Sequence, residues 1–311
     1  MEKNINVFVI IVIYNGLRND WIKKCLDSLK LSSISIKIVA VDNNSKDNSV
    51  AYIKKYYPNV ILLENTDNRG FGGANNQGLK YALKHGGEYF ILLNQDAYVK
   101  QNTIEELVKQ SVKNHDFGII SPIHLNGDGT ALDYNFSEYI SPSSCKMLYS
   151  DFVINKVKDK IYLSNFICAA CWLLSRKTLE IVGGFNPVFF HYAEDDNYIH
   201  RLHFKSLKIG VYPKAIIFHD RENRDNSEYF NNIISFKRSL LLKFSNPNIK
   251  VSLFSEFIVL FKYALKFVIK LDKRYLFYLL EYIKFLILLR KKVFKHMKVS
   301  RSDRKFVFIS D

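Results

Sequence analysis

Oxygen-bearing side chains stand at the ends of three short apolar runs. Asn15 follows the run 7–13, Asp42 with Asn43 and Asn44 follows 36–41, and Asn94, Gln95 and Asp96 follow 89–93. Carboxylates and amides from several strand ends, gathered on one rim, suit a polar ligand carrying phosphate together with a hard divalent cation, which takes oxygen donors. Asp and Asn also close turns and cap helices. One such loop decides nothing, whereas three in order favour a site. A further acidic run, Glu194-Asp195-Asp196, is on its own terms also a helix start favoured by the macrodipole. Other combinations carry less. The CxxC of Cys168 and Cys171 has no second pair for zinc and lies in an apolar stretch, which fits buried small residues. His200 and His203 fall three apart on one expected helix face and read as structural residues. Gly70-x-Gly72-Gly73 precedes the third helix instead of following the first strand, so it is no dinucleotide fingerprint.

The elements that must position these residues follow from periodicity. Runs 7–13, 36–41, 60–63 and 89–93 are almost continuously apolar, as parallel strands covered on both faces are. Between them lie helical stripes: Trp21, Cys25, Leu26 and Leu29; then Val50, Ala51 and Ile53; then Leu79, Ala82 and Leu83. This predicts βαβαβαβ, a Rossmann-like half that presents ligands at the carboxyl edge of its strands. Thr103 and Glu106 have capping-box spacing ahead of Ile104, Leu107, Val108 and Val112, which predicts the next helix and leaves Asn94-Gln95-Asp96 in a loop at that edge. Residues 121–160, with Pro122, Pro142 and Asn126-Gly127-Asp128-Gly129, read as a variable loop region. Order returns at 166–174, at Gly183-Gly184-Phe185, and at 209–212 and 215–219. Lys3 ahead of the apolar run 5–13 resembles a signal peptide only superficially. Glu2 offsets it, no small-x-small site follows, and Tyr14-Asn15-Gly16 reads as a turn, so a buried first strand is expected.

The chain has 311 residues, 48% hydrophobic and 24% charged, with 13 Gly and 6 Pro. That composition excludes collagen and wholesale disorder. Four Cys make no disulfide framework and suit a reducing compartment. The net charge of +15 is not spread evenly: from Phe236 onward 18 Lys and Arg face 5 Asp and Glu, while the first 235 residues hold 27 against 25. The basic excess therefore belongs to a strongly apolar tail, which argues against a nucleic-acid binder.

Taken in order, Val9-Ile10-Ile11-Val12-Ile13-Tyr14-Asn15, Val41-Asp42-Asn43-Asn44-Ser45, Asn68-Arg69-Gly70-Phe71-Gly72-Gly73-Ala74-Asn75-Asn76, Leu93-Asn94-Gln95-Asp96, Gly183-Gly184-Phe185 and Phe189-Phe190-His191-Tyr192-Ala193-Glu194-Asp195-Asp196 resemble family 2 glycosyltransferases of the GT-A fold. The resemblance covers roughly the first 220 residues. Each motif is weak alone and the ordered set is specific. It is closest to the rhamnosyltransferase-like branch, which builds bacterial surface polysaccharides such as O-antigen, the glycan of lipopolysaccharide, or capsule, often from dTDP-rhamnose.

That resemblance implies an α/β GT-A domain over residues 1–246, with a nucleotide-binding half and an acceptor half. It implies that Asp42 hydrogen-bonds the nucleotide base, with Tyr14 and Asn15 forming the base and ribose pocket. Asn94-Gln95-Asp96 stands where the family has its Asp-x-Asp metal motif. Asn94 replaces the first acid, so Asp96 alone brings a carboxylate to a Mg²⁺ or Mn²⁺ ion that would neutralise the leaving diphosphate. Asp195 matches the general base of inverting members, with Glu194 in support. Asn197 departs from the acid usual there, and Asp196 remains the alternative base. His219 falls where relatives place a histidine near metal and diphosphate, and Arg69 in the Gly-rich turn is either a phosphate partner or an ordinary solvated arginine. The implied activity is transfer of a hexose, rhamnose first, from a nucleotide-diphosphate sugar onto a lipid-linked or growing glycan. The alternative, motivated by Asn94 and Asn197, is a non-catalytic nucleotide-sugar or glycan-binding subunit on the same fold.

Residues 247–311 are expected to form a basic amphipathic helical region. Phe254, Phe257, Ile258, Phe261, Leu265 and Val268 make one helical stripe, and Lys262, Lys266, Lys270 and Lys273 another. Residues 275–289 are apolar apart from Glu281 and Lys284, short for a membrane span, and end in Arg290-Lys291-Lys292. This predicts an interfacial helix on an anionic membrane surface and peripheral attachment at the cytoplasmic, inner face of the cell membrane. The alternative is a helical hairpin packed on the catalytic domain with its lysines solvated.

Overall fold

The computed structural model describes residues 5–221 and 232–309, so Glu2 and Lys3 lie outside the described residues. The first part alternates β1 (Val7–Ile13), α1 (Trp21–Lys30), β2 (Lys37–Asp42), α2 (Ser49–Tyr56), β3 (Ile61–Glu64), α3 (Gly70–Lys84) and β4 (Tyr89–Asn94). β1 pairs in parallel with both β2 and β4, and β2 with β3. The strand apolarity has its expected cause. Phe8 and Ile10 enter one core cluster with Leu79 and Ala82 of α3, and Val7, Val9, Ile11 and Ile13 enter another with Ile22, Cys25, Leu26 and Leu29 of α1. At Gly78 a Cβ would lie 2.5 Å from Ile10 Cγ2, so glycine there lets α3 settle on the sheet.

The second part runs β5 (Ala97–Val99), α4 (Thr103–Lys113), β6 (Phe117–Asn126), α5 (Tyr134–Tyr139), α6 (Lys146–Val153), β7 (Tyr162–Leu163), β8 (Cys171–Ser175), α7 (Arg176–Val182), α8 (Glu194–Phe204) and β9 (Lys208–His219). The sheet order is β3-β2-β1-β4-β8-β6-β9-β5, with β7 on β9. β8 joins the two parts, antiparallel to both β4 and β6. Here the structure departs from the sequence expectation in three places. Residues 117–153 are ordered as β6, α5 and α6. The two apolar runs after residue 208 are one strand, whose register with β6 slips between Ser121 and Ile123, where Pro122 cannot donate to a ladder. The Thr103–Glu106 capping box does not form. Thr103 is the first helical residue, and its buried hydroxyl donates to the Ile216 carbonyl at 2.6 Å instead.

Four helices follow: α9 (Asn232–Ser245), α10 (Leu253–Lys270), α11 (Lys273–Leu288) and α12 (Arg290–Arg301). Leu240 and Phe244 of α9, Tyr282 and Phe285 of α11 and Val293 of α12 form a separate small core. Inside it Lys243 meets Glu256 at 2.7 Å, and Tyr282 hydrogen-bonds both. Among the described residues no helix is long and apolar enough to cross a membrane. The chain then returns to the α/β body, where Val307 and Ile309 are buried.

Candidate active site

A cavity of about 620 Å³ opens at the carboxyl edge of β1, β2 and β4. Tyr14, Asn43, Asn94, Gln95 and Asp96 line it from those strand ends, His219 and Arg221 from the end of β9, Glu194 and Asp195 from the start of α8, and Ile234, Arg238 and Leu241 from α9. The Gln95 side chain ties two of the strand ends together, accepting from the Tyr14 amide at 2.9 Å and donating to the Tyr14 carbonyl at 3.0 Å.

Of the residues singled out by sequence, Tyr14, Asn94, Asp96, Glu194, Asp195 and His219 share this cavity, while Asn15, Asp42 and Arg69 stand outside its lining. Asp42 is buried at the end of β2, one oxygen accepting from the Ser45 amide and the other without a hydrogen-bond partner. Its neighbour Asn43 reaches the cavity and also organises the glycine-rich turn, accepting from the Arg69 amide at 2.9 Å and donating to the Gly70 carbonyl at 3.2 Å. Asn15 has a left-handed backbone and accepts from the Lys46 amide. The Arg69 side chain is half-exposed and lies 3.5 Å from Asp67. Cys171 is buried in β8 as a free thiol, and Cys168, also free, borders the cavity.

At the end of β9 a chain of polar groups joins Asp96, His219, Asp133 and Arg221. His219 Nε2 lies 3.6 Å from Asp96 Oδ1, His219 Nδ1 lies 3.3 Å from Asp133 Oδ2, and Arg221 Nε lies 2.9 Å from the same Asp133 oxygen. Burial pushes the His219 imidazole below its ordinary value. Burial alone would push Asp133 upward, but His219, Arg221 and the Phe136 amide outweigh it and hold the carboxyl at about 2. Asp133 and Arg221 were missed by sequence reasoning. The one signal for Asp133 is its place as N-cap of α5, where it accepts from Phe136.

These residues fit a divalent cation. A neutral His219 that donates Nδ1–H toward Asp133 turns the Nε2 lone pair toward the Asp96 carboxylate, so two acceptors face each other as they do around an ion. The buried Asn94 oxygen, without a hydrogen-bond partner, borders the same space. Among the described residues no three His, Cys, Asp or Glu side chains are grouped to hold a metal. Water and a diphosphate would have to complete the shell of any ion held by so few side chains.

The start of α8 carries the acidic pair. Tyr192 and Ala193 both have left-handed backbones, with φ of 63° and 69°, and turn the chain so that α8 begins at Glu194 inside the cavity. Gly70, φ +71°, lets the start of α3 press on this loop, since a Cβ there would lie 1.8 Å from the Phe190 carbonyl oxygen. Burial raises both Glu194 and Asp195 well above the ordinary carboxylate range, and their neighbouring negative charges add to it. Asp195 accepts from the Asp196 amide at 2.9 Å, whereas Glu194 Oε2 is buried without a partner. Asp196 lies outside the cavity lining. His200 and His203 sit further along α8, away from it.

Residues 8–182 match the model of the family described as Glycosyl transferase family 2. The chain belongs to that family. It is 24% identical over 207 residues to the low-salt glycan biosynthesis hexosyltransferase Agl10 of Haloferax volcanii, covering 64% of this chain and 63% of Agl10. The chain thus spans less than two thirds of that relative's length. It is 25% identical over 242 residues to the rhamnosyltransferase WbbL of Escherichia coli, covering 72% of this chain and 86% of WbbL. The solved mannosyltransferase PcManGT of Pyrobaculum calidifontis, in complex with GDP-Man and Mn²⁺, superposes with a TM-score of 0.57 at 17% identity, covering 96% of this chain and 74% of that one. The architecture of this family 2 chain is the GT-A fold.

Proposed function

We propose that this family 2 chain is an inverting glycosyltransferase that moves rhamnose from dTDP-rhamnose onto a lipid-linked or growing surface polysaccharide. The observation that carries the reading is that one cavity holds both the Asp96–His219 pair and the Glu194–Asp195 pair. Asp195 takes the proton of an acceptor hydroxyl as that oxygen bonds to the anomeric carbon, and the nucleotide diphosphate leaves from the opposite face. Glu194 shares its burial and supports it. Asp96 and His219, with Asn94 beside them, would hold Mg²⁺ or Mn²⁺, which neutralises charge on the leaving diphosphate. Tyr14 and Asn43 at the strand ends, with Asn15 and Asp42 behind them, bind the nucleoside. Arg69, paired with Asp67, serves as a second-rank phosphate contact. The similarity to a glycan-biosynthesis hexosyltransferase and to a rhamnosyltransferase, and to the mannosyltransferase solved with GDP-Man and Mn²⁺, supports donor class and cation.

Purified protein with Mn²⁺ should release dTDP from dTDP-rhamnose in the presence of acceptor glycan, faster than it releases the nucleotide from UDP- or GDP-sugars. Faster release from another donor replaces rhamnose. Tight donor binding with no release from any donor favours the non-catalytic subunit.

The helices α10 and α11 support peripheral attachment to an anionic membrane at the cytoplasmic face. Phe254, Phe257, Phe261, Val268, Ile269 and Ile287 are exposed on them and Leu271 in the turn between them, among Lys262, Lys266, Lys270 and Lys273. The full chain should float with anionic liposomes, less at high salt, and Phe257→Glu with Val268→Glu should leave it at the bottom of the gradient. Unchanged flotation of the double variant would remove these helices from the reading.

A further inference from the structure

The peptide 306–309 crosses the α/β body at Gly183-Gly184-Phe185, a motif whose place in the reaction is otherwise unexplained. The Gly184 amide donates to the Val307 carbonyl at 2.9 Å, and the Phe306 amide donates to Glu180 O at 3.3 Å. A Cβ on Gly183, φ +82°, would lie 2.1 Å from Val307 O, and one on Gly184 would lie 2.6 Å from Ile309 Cγ1. Both glycines are therefore required by close passage of this peptide. Asn76 of α3 bridges the two segments: it accepts from the Phe185 amide at 2.7 Å and donates to the carbonyls of Phe185 at 2.8 Å and Phe308 at 3.0 Å. Val307 and Ile309 are buried, Ile309 within the main core cluster. Phe306 and Phe308 hold left-handed backbones, φ 54° and 66°, a cost that bulky residues bear only where surrounding contacts fix them.

The segment so fastened leads to the acidic pair. His296 Nδ1 lies 2.7 Å from Asn186 Oδ1, which also accepts from the Val188 amide, and Val188 opens the cavity-lining loop that ends at Glu194. From the other side Arg201 of α8, fully buried, donates to the carbonyls of Val182 and Gly184, each at 2.6 Å, and to Asn197 Oδ1 at 3.1 Å. The Phe308 ring lies 5.2 Å from its guanidinium carbon. A Cβ on Gly72 would lie 2.8 Å from Phe185 Cβ and 3.7 Å from Glu194 Cβ, so the start of α3 passes close to both segments.

We infer that peptide 306–309 is a latch that sets the 183–193 segment and the start of α8, with Asn76, Phe308 and Ile309 as positioning residues. The kinetic half of the inference rests on the base assigned to Asp195; the structural half does not. The variants Asn76→Ala and Ile309→Ala in the full chain test both, with exposed Lys305→Ala as control. Hydrogen exchange should quicken over residues 183–198 and stay unchanged over β1 and β4, while kcat falls about 10–100-fold with KM for the donor nearly constant. Quickened exchange confined to residues 176–186, or donor KM rising as kcat holds, overturns the latch. Quickened exchange through residue 198 with unchanged kcat sustains the latch and overturns Asp195 as base.

Discussion

Two acid groups beside the cavity meet opposite conditions. Asp133 is buried, yet a hydrogen bond from His219 and the Arg221 charge keep its carboxyl near 2. Glu194 and Asp195 sit at a helix N-terminus, which favours negative charge, yet burial first, then repulsion from Asp195 and Asp196 on Glu194 and from Asp196 on Asp195, pushes both upward. Hydrogen bonding and counter-charge decide the first case and desolvation the second. The difference separates tasks: a carboxylate held ionised can orient a ligand for a cation, while one poised nearer neutrality can accept a proton at working pH. On the proposed reading, charge holding falls to the end of β9 and proton transfer to the start of α8.

The largest expected effect breaks the proton-accepting end. Asp195→Asn keeps shape and hydrogen bonding but removes proton acceptance, and should lower turnover about 10²–10⁴-fold with donor affinity nearly unchanged. Asp196→Asn, altering a group outside the cavity lining, should change it far less. Reversal of that ranking would move the base by one residue. In the wild type the acid limb of kcat against pH should stand well above the ordinary carboxylate value of about 4, because activity requires the ionised form of a group whose pKa is raised.

Next comes the charge-holding end. Asp96→Ala removes the carboxylate facing His219 Nε2 and should abolish the stimulation of donor binding by Mn²⁺, measured by titration calorimetry with and without the ion. Wild-type turnover that survives thorough chelation would assign diphosphate neutralisation to the cavity arginines, of which Arg221 and Arg238 line the same space.

How much of this arrangement the sequence reveals depends on how local each part is. β1 to β4 are legible because a strand covered on both faces writes an unbroken apolar run, and the loops at their ends follow. Asp96 and Glu194-Asp195 are legible by their place in an ordered set of motifs. Asp133 is not, because it reaches His219 only through pairing of β6 with β9 and a bridge that returns the chain from Leu125 to Leu132. Its segment, broken by Pro122 and a glycine-rich turn, has no periodicity to announce a strand. Arg238 is illegible for a similar reason. It belongs to a helix whose apolar face packs on α11, and nothing in its spacing tells that another face walls the cavity. Asp42 and Arg69 show the converse limit: residues at the right strand end and turn can stand outside the lining that their neighbours form.

The smallest effect concerns stability, and here the two ends should differ in sign. Asp133 has its pKa lowered in the folded chain, so its ionised form adds stability that is present above the ordinary value of about 4 and lost as pH falls toward about 2. Asp133→Asn should therefore lower Tm by a few degrees at neutral pH, with the gap to wild type closing as the pH approaches 2. Asp195 has its pKa raised, so folding favours its protonated form and stability falls as pH rises from about 4 through the raised value. Removing that charge should raise Tm at pH 8 and leave it nearly unchanged at pH 4. Thermal melts of both variants from pH 2 to 8 decide the matter, provided the cation is chelated so that ligand binding does not add its own stabilisation. If both substitutions shift Tm the same way at pH 8, the two ends do not differ in what holds their charge, and the division of tasks between them loses its physical basis.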